Sequence, residues 1–279
     1  MNIRSIRPSS APYRHNPLTA SSRLNYLWRL TALPLLLFIV LPIAMLFLRT
    51  SPQQIILSLA KEQVYQAVGV SLKTTLISLG VILITGTPLA FLMGRREFRL
   101  KRVVDTFIDL PTILPPSVAG VALLMTFGRR GLLGPWLALL DIQVPFTQTA
   151  VVLSQVFIAS PFYVRAAAIG FSGIDSEIEQ AAQLDGANRW SIFLHIILPL
   201  ARNALISGGT MSWARALGEF GATIIFAGNY IGRTQTMPTA IYLGFEVDLN
   251  IALTLSVLLV TISFCSILLI KLLTYNRQG

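Results

Sequence analysis

Six apolar stretches, near residues 28–48, 69–93, 108–127, 149–170, 192–213 and 249–273, leave this chain few choices of fold. Each has the roughly 20 mostly apolar residues that a helix needs to cross a bilayer core. Within lipid a spanning segment has to satisfy its own backbone N–H and C=O groups, and an α-helix does so. The expectation is an all-α polytopic membrane protein with six transmembrane helices. Composition agrees: 54% of the residues are hydrophobic, 12% are charged and the mean hydropathy is +0.68, too apolar for a soluble domain of 279 residues. Residues 214–248 hold the apolar run Ile224-Ile-Phe-Ala227, but Gly218, Gly221, Gly228, Gly232 and Pro238 interrupt them. Irregular or re-entrant structure is expected there, not a seventh span.

A net charge of +10 would suggest nucleic acid if the basic residues formed one stripe, but they cluster beside the apolar runs, so no nucleic-acid partner is expected. With the N-terminus inside, the cytoplasmic connections hold Arg4, Arg7, Arg14, Arg23, Arg29, Arg95, Arg96, Arg99, Lys101, Arg102, Arg189, Lys271 and Arg277. The opposite face holds only Arg49, Lys61, Arg129, Arg130, Arg215 and Arg233, while Lys73, Arg165 and Arg202 fall within or at the ends of spans. This bias predicts a multi-pass protein of the plasma (inner) membrane, in contact with lipid, with both termini and the 171–191 loop in the cytoplasm.

Residues 1–27 contain Pro8, Pro12, Pro17, five serines, four arginines and no acid, a composition that predicts a disordered basic arm. A transit peptide is the alternative for that segment. The lone cysteine, Cys265, lies in the last apolar run and reads as a small buried hydrophobe. His15 and His195 cannot build a metal cluster, and His195 reads as an interfacial side chain. The four lysines follow Ala60, Leu72, Leu100 and Ile270, so the Gly-Lys step of a phosphate-binding loop is absent and nucleotide chemistry has to come from another chain. The chain is expected to be no enzyme and to hold no cofactor of its own.

The polar loop between the fourth and fifth runs carries the sharpest pattern. Ser176 and Glu179 have the spacing of a capping box that starts a helix, and Gly186 can end it about two turns later in a positive-φ conformation. Ile178, Ala181, Ala182 and Asp185 fall on one face, where two methyl side chains would let another backbone approach closely. The spacing Ala181-Ala182-x3-Gly186-x9-Ile196-x-Leu198-Pro199 resembles the EAA loop of permease subunits in ABC importers. Gln180 stands where the strict pattern has its acid, and Glu179 is one residue earlier, a form similar to the molybdate branch. Pro199 either kinks the fifth helix or marks its start.

Leu110-Pro-Thr-Ile-Leu-Pro-Pro-Ser117, Gly128-Arg-Arg-Gly131, Gly218-Glu-Phe-Gly-Ala222, Thr234-Gln-Thr-Met-Pro238, Ala240-Ile-Tyr242 and Glu246-Val-Asp248 extend the likeness to molybdate and sulfate permeases over about residues 65–273. The resemblance implies a type I ABC permease architecture over residues 28–279, with a coupling loop at 174–191. It implies a second copy of the chain, two ATPase subunits that bind ATP and Mg, and an extracytoplasmic oxyanion-binding protein. The implied cargo is a tetrahedral oxyanion, molybdate first, with tungstate and sulfate as alternatives.

Pro111, Pro115 and Pro116 free backbone groups at membrane depth, which is tolerated where protein or a water-filled cavity covers them. Pro115, Pro116 and Ser117 are therefore pore or gate candidates, with a packing kink as the other reading. Thr74, Thr75, Ser78, Thr85 and Thr87 suit a hydrated anion path or helix packing. Arg129 and Arg130, between glycines, are candidates for contact with the binding protein. Glu219 is four residues after Arg215, which predicts an internal ion pair, and with Gly218 and Gly221 it reads as a hinge. An ion-coupled secondary transporter and a membrane scaffold are the rival classes. The first would need an intramembrane ion site, and the second leaves the polar loop unexplained.

Overall fold

A computed structural model of the chain describes residues 22–275, all of whose regular elements are helical. The chain divides after Arg49 into two compact units. The first contains α1 (Ser22–Arg49), within whose residues Trp28–Arg49 an 18-residue stretch has a mean hydropathy of 2.6. Residues 22–27 continue this helix on the N-terminal side of the apolar span. The rest of the expected basic arm, with the transit-peptide alternative, lies outside the described residues.

The second unit runs through α2 (Pro52–Leu59), α3 (Glu62–Arg95), α4 (Lys101–Ile113), α5 (Pro116–Phe127), α6 (Gly134–Leu139) and α7 (Gln148–Ser172). It continues with α8 (Ser176–Leu184), α9 (Arg189–Ile192), a π turn (Phe193–Ile197), α10 (Leu198–Leu217), α11 (Gly221–Phe226), α12 (Met237–Val247) and α13 (Leu249–Tyr275). With α1, the helices α3, α7, α9–α10 and α13 are long and apolar enough to cross a membrane. The protein is an all-α polytopic membrane protein.

The centre of this unit is α7 packed between α3 and α10, around Ile82, Tyr163, Val164, Phe171, Ile197 and Ala201. Lipid offers helices no hydrophobic drive to associate, so close packing of small residues has to do it. A Cβ on Gly94 would press on Ala168 and Phe171, one on Gly170 on Ala204, and one on Gly208 on Ala166. Gln155 of α7 donates to the hydroxyls of Thr74 and Thr75 and accepts from Ser78 at 2.8 Å, all four residues being buried. The hydroxyls of Thr74, Thr75 and Ser78 thus serve helix packing, whereas Thr85 is exposed and Thr87 bonds to the Tyr163 hydroxyl. Beside this core, α12 and α13 fold back against the first half of α3 around Val64, Ala67, Met237, Ala240, Ile251 and Leu255.

The third span is broken at the prolines, as expected, but begins earlier: residues 101–127 form two helices bent by 117°, the first starting at Lys101 instead of near residue 108. Leu114 and Pro115 each precede a proline and have ψ of 136° and 132°, because a following proline ring clashes with the α conformation. Two extended residues in a row turn the chain. α4 carries Lys101, Arg102, Asp105 and Asp109, so only α5 suits the apolar interior, and its 12 residues span about 18 Å at 1.5 Å each. Pro199 does not start the fifth helix either. The π turn precedes it, and the Leu198 N–H reaches the Phe193 carbonyl, so the missing Pro199 N–H is absorbed inside one continuous run from Arg189 to Leu217. Residues 218–248 hold the short helices α11 and α12 and no seventh span among the described residues. Cys265 is exposed on α13 instead of buried, since that helix keeps only one face for the bundle.

Candidate functional site

The polar loop becomes α8, a nine-residue helix with no buried residue. The expected capping box is absent. Asp175, one residue earlier than Ser176, accepts from the Glu177 N–H at 2.9 Å, and Ser176 is already helical. Glu179 is left free for another partner, the Arg95 guanidinium at the end of α3, with the pair only 12% and 23% exposed. Gly186 ends the segment as expected, at φ +87°. The exposed face also differs from expectation: Ala182 and Ala187 turn inward against the core cluster that includes Phe171 and Ile174, whereas Ile178, Ala181 and Leu184 face out, Leu184 at 89% exposure. Leu184 was legible as the apolar residue three after Ala181. Leu198 is half-buried and Pro199 exposed, in the run that leads from this loop into α10.

A second cluster gathers the pore candidates. A Cβ on Gly221 would lie 2.6 Å from the Pro116 Cβ and 3.4 Å from the Ser117 nitrogen, so the break before α5 and the break before α11 touch. One turn on, a Cβ on Gly120 would meet the Ala222 carbonyl at 2.9 Å. Glu219 is 1% exposed, accepts from the Ala222 N–H at 2.8 Å, and lies 2.8 Å from Arg215 Nη1 in an ion pair whose N–H is not aligned for a hydrogen bond. The carboxylate thereby satisfies an orphan donor at the start of α11 and neutralises Arg215. Pro115, Pro116 and Ser117 remain exposed beside this junction, and Gly218 closes α10.

Arg129 and Arg130 are exposed in a turn held by Leu132 N–H to the Met125 carbonyl and Leu133 N–H to the Thr126 carbonyl. A cavity of about 560 Å³ there is lined by Arg129, Asp141 and Phe146, and the last two have positive φ. Sequence reading passed over one further group. Arg165 of α7 donates to Asp105 at 2.5 Å and to both oxygens of Asp109, and so ties α4 to α7. An arginine inside an apolar run was the signal, because such a charge needs a partner.

The family described as "Binding-protein-dependent transport system inner membrane component" matches residues 86–275. The chain belongs to that family. It is 35% identical over 235 residues to the probable transport system permease protein NifC of Clostridium pasteurianum, covering 84% of this chain and 82% of that one. It is 39% identical over 216 residues to the putative molybdenum transport system permease protein YvgM of Bacillus subtilis, covering 77% and 95%. Among solved structures, a bacterial ABC transporter that imports alginate shares the fold, with a TM-score of 0.74, 16% identity and coverage of 92% of this chain and 96% of that one. This chain is thus a permease subunit of an ABC importer, which sets aside the secondary-transporter and scaffold readings.

Proposed function

We propose that two copies of this permease form the pathway of an ATP-driven importer for molybdate, with tungstate and sulfate as chemically close alternatives. The carrying observation is α8, an exposed helix anchored to the bundle by Arg95 and Glu179. A surface of that kind transmits force when a motor grips it, and the ATPase subunits would supply ATP and Mg in trans. Ile178, Ala181 and Leu184 form the gripped face, Gly186 and the Leu198-Pro199 run connect it to α10, and the contact between Pro116 and Gly221 is the gate. Arg129 and Arg130 would meet acidic groups on an extracytoplasmic binding protein. The α8 end then faces the cytoplasm, with both termini on that side. The relative named for molybdenum transport supports molybdate as cargo.

The test is reconstitution in liposomes of the permease alone, with an ATPase subunit, and with both ATPase and binding protein. Molybdate uptake should need all components and ATP, and sulfate should compete weakly. Uptake by the permease alone would overturn the assignment of the motor to another chain, and stronger sulfate uptake would reassign the cargo. Cysteines at Gln183 and Arg130 should be labelled from opposite sides of the membrane.

A further inference from the structure

Between α3, α10 and α13 runs a groove of about 480 Å³, lined by Leu79, Leu83, Leu205, Gly209, Trp213 and Leu269 among others. Its two hydroxyls are already used. The Thr210 hydroxyl donates to the Ile206 carbonyl and the Ser266 hydroxyl to the Ile262 carbonyl, each at 2.7 Å, which leaves an apolar wall. Gly209 keeps the floor open: a Cβ there would meet only Leu83 Cδ2, at 3.7 Å.

Helix periodicity puts Arg202 one turn beyond the groove's lining on α10. This residue lies three, four and seven residues before Leu205, Ile206 and Gly209, on the same face of α10 and toward the α8 end. That part of α10 lies against Gly170, near where α7 ends at Ser172, so Arg202 is at the border of the apolar zone. Arg202 is exposed, and its side chain makes no ion pair or hydrogen bond among the described residues.

We infer that this groove and Arg202 form a binding site for an anionic phospholipid, with one acyl chain along the groove and the phosphate at the guanidinium. Size and charge argue together. Two turns of a helix 10–12 Å across fill on the order of 1,000 Å³, so a protein helix can cover the groove but not enter it, whereas one flexible acyl chain can. A planar guanidinium on a long stem suits a phosphate at the interface and reaches it by extending along the apolar wall. Basic positions between helices at a membrane border take anionic headgroups for this reason.

The test uses the full chain in neutral detergent with phosphatidylglycerol, phosphatidylcholine or glycerol phosphate, read by native mass spectrometry. Phosphatidylglycerol should bind in preference to phosphatidylcholine, and glycerol phosphate alone should not bind. Arg202→Gln should cut the preference about fivefold, the factor that one cation near an anionic surface contributes. Arg202→Lys should keep most of it. Gly209→Leu, whose side chain fills the groove, should lose the bound lipid while the protein stays folded. Phosphatidylglycerol brominated on its acyl chains should quench fluorescence, and Trp213→Phe should remove most of that quenching. Equal binding of both lipids, unchanged binding in Gly209→Leu, or quenching that ignores Trp213, as when a protein helix covers the groove, would overturn the inference.

Discussion

Arg95, the last residue of α3, donates to the Glu179 carboxylate of α8 and, through its other terminal nitrogen, to the Ile174 carbonyl. One guanidinium thus holds both the approach to α8 and the helix itself. The unusual position of the acid follows from this. A shift of one residue rotates a side chain by about 100° around a helix. At position 180 the side chain is exposed, whereas at 179 it shares the inward side with Ala182. The acid in this chain therefore serves an internal bond.

Glu179→Ala should loosen α8 without unfolding the spans. Removing one partner of a partly buried, charge-assisted bond costs about 1–3 kcal/mol, because the other is left unpaired. Amide exchange over residues 176–186 should rise, uptake should fall several-fold, and ATPase activity should lose its dependence on cargo. Arg95→Ala should do the same, and the double substitution should be less than additive. Additive effects would mean that the two side chains act separately.

Gly186→Val should uncouple the motor and leave the permease in the membrane. Gly186 has φ +87° and open space around the position of a Cβ, so the damage comes from backbone strain and not from a clash. A β-branched residue there costs about 1–2 kcal/mol, while asparagine, which tolerates that conformation, should restore most uptake. Equal loss in both variants would point to the surface at 186 instead of its backbone.

The long helices were legible because apolar runs of bilayer length admit only one solution, and α3, α7, α10 and α13 fall where hydropathy puts them. What escaped was tertiary. α4 reads as the first half of a span until Asp105 and Asp109 are seen to meet Arg165, 56 to 60 residues away. Ser176 and Glu179 have capping-box spacing, but Asp175 caps as well and Arg95 competes for Glu179, which local pattern cannot weigh. The touching breaks at Pro116 and Gly221 were each visible as breaks, and only the fold brings them together.

Gly221→Val should block transport at that contact. Its Cβ alone would come within 2.6 Å of Pro116, a rigid ring that cannot rotate away, and valine adds two methyls. Overpacking of this kind costs typically 1–3 kcal/mol and would push α5 from α11. The protein should still assemble, and uptake should fall at least tenfold or become a leak. Gly218→Ala should be mild, because a Cβ there meets only the Ala214 carbonyl, at 3.7 Å. Normal uptake by Gly221→Val would remove the junction from the pathway.

Arg165→Ala would leave Asp105 and Asp109 facing each other across one turn of α4 with no counter-charge. The groups are 37–43% exposed, so solvent screens the repulsion and the loss should be modest, about 1 kcal/mol. α4 should nevertheless detach from α7, and spin labels on the two helices should show a broadened distance distribution. Arg165→Lys keeps the charge but not the fork, and should be intermediate. An unchanged distribution in Arg165→Ala would mean that apolar packing alone holds α4.

Lys61 and Asp248 pin the start of α3 to the turn between α12 and α13, with Nζ to Oδ2 at 2.6 Å. The Lys61 ammonium, chiefly through this hydrogen bond, holds the Asp248 carboxyl below its ordinary value against a smaller opposing effect of burial. A carboxyl lowered in the folded state stabilises it fully above the unfolded value of about 3.9 and loses that contribution as pH falls through the lowered one. Amide exchange at residues 244–252 should therefore rise as pH is taken below about 4, after correction for intrinsic rates. Asp248 also caps α13, accepting from the Asn250 N–H at 3.0 Å, a bond that Asp248→Asn can keep. That variant should be less protected at neutral pH and should lose the extra acid sensitivity, so that the two curves converge at low pH. Parallel curves with a constant offset would assign the effect to geometry at the turn instead of to the charge pair.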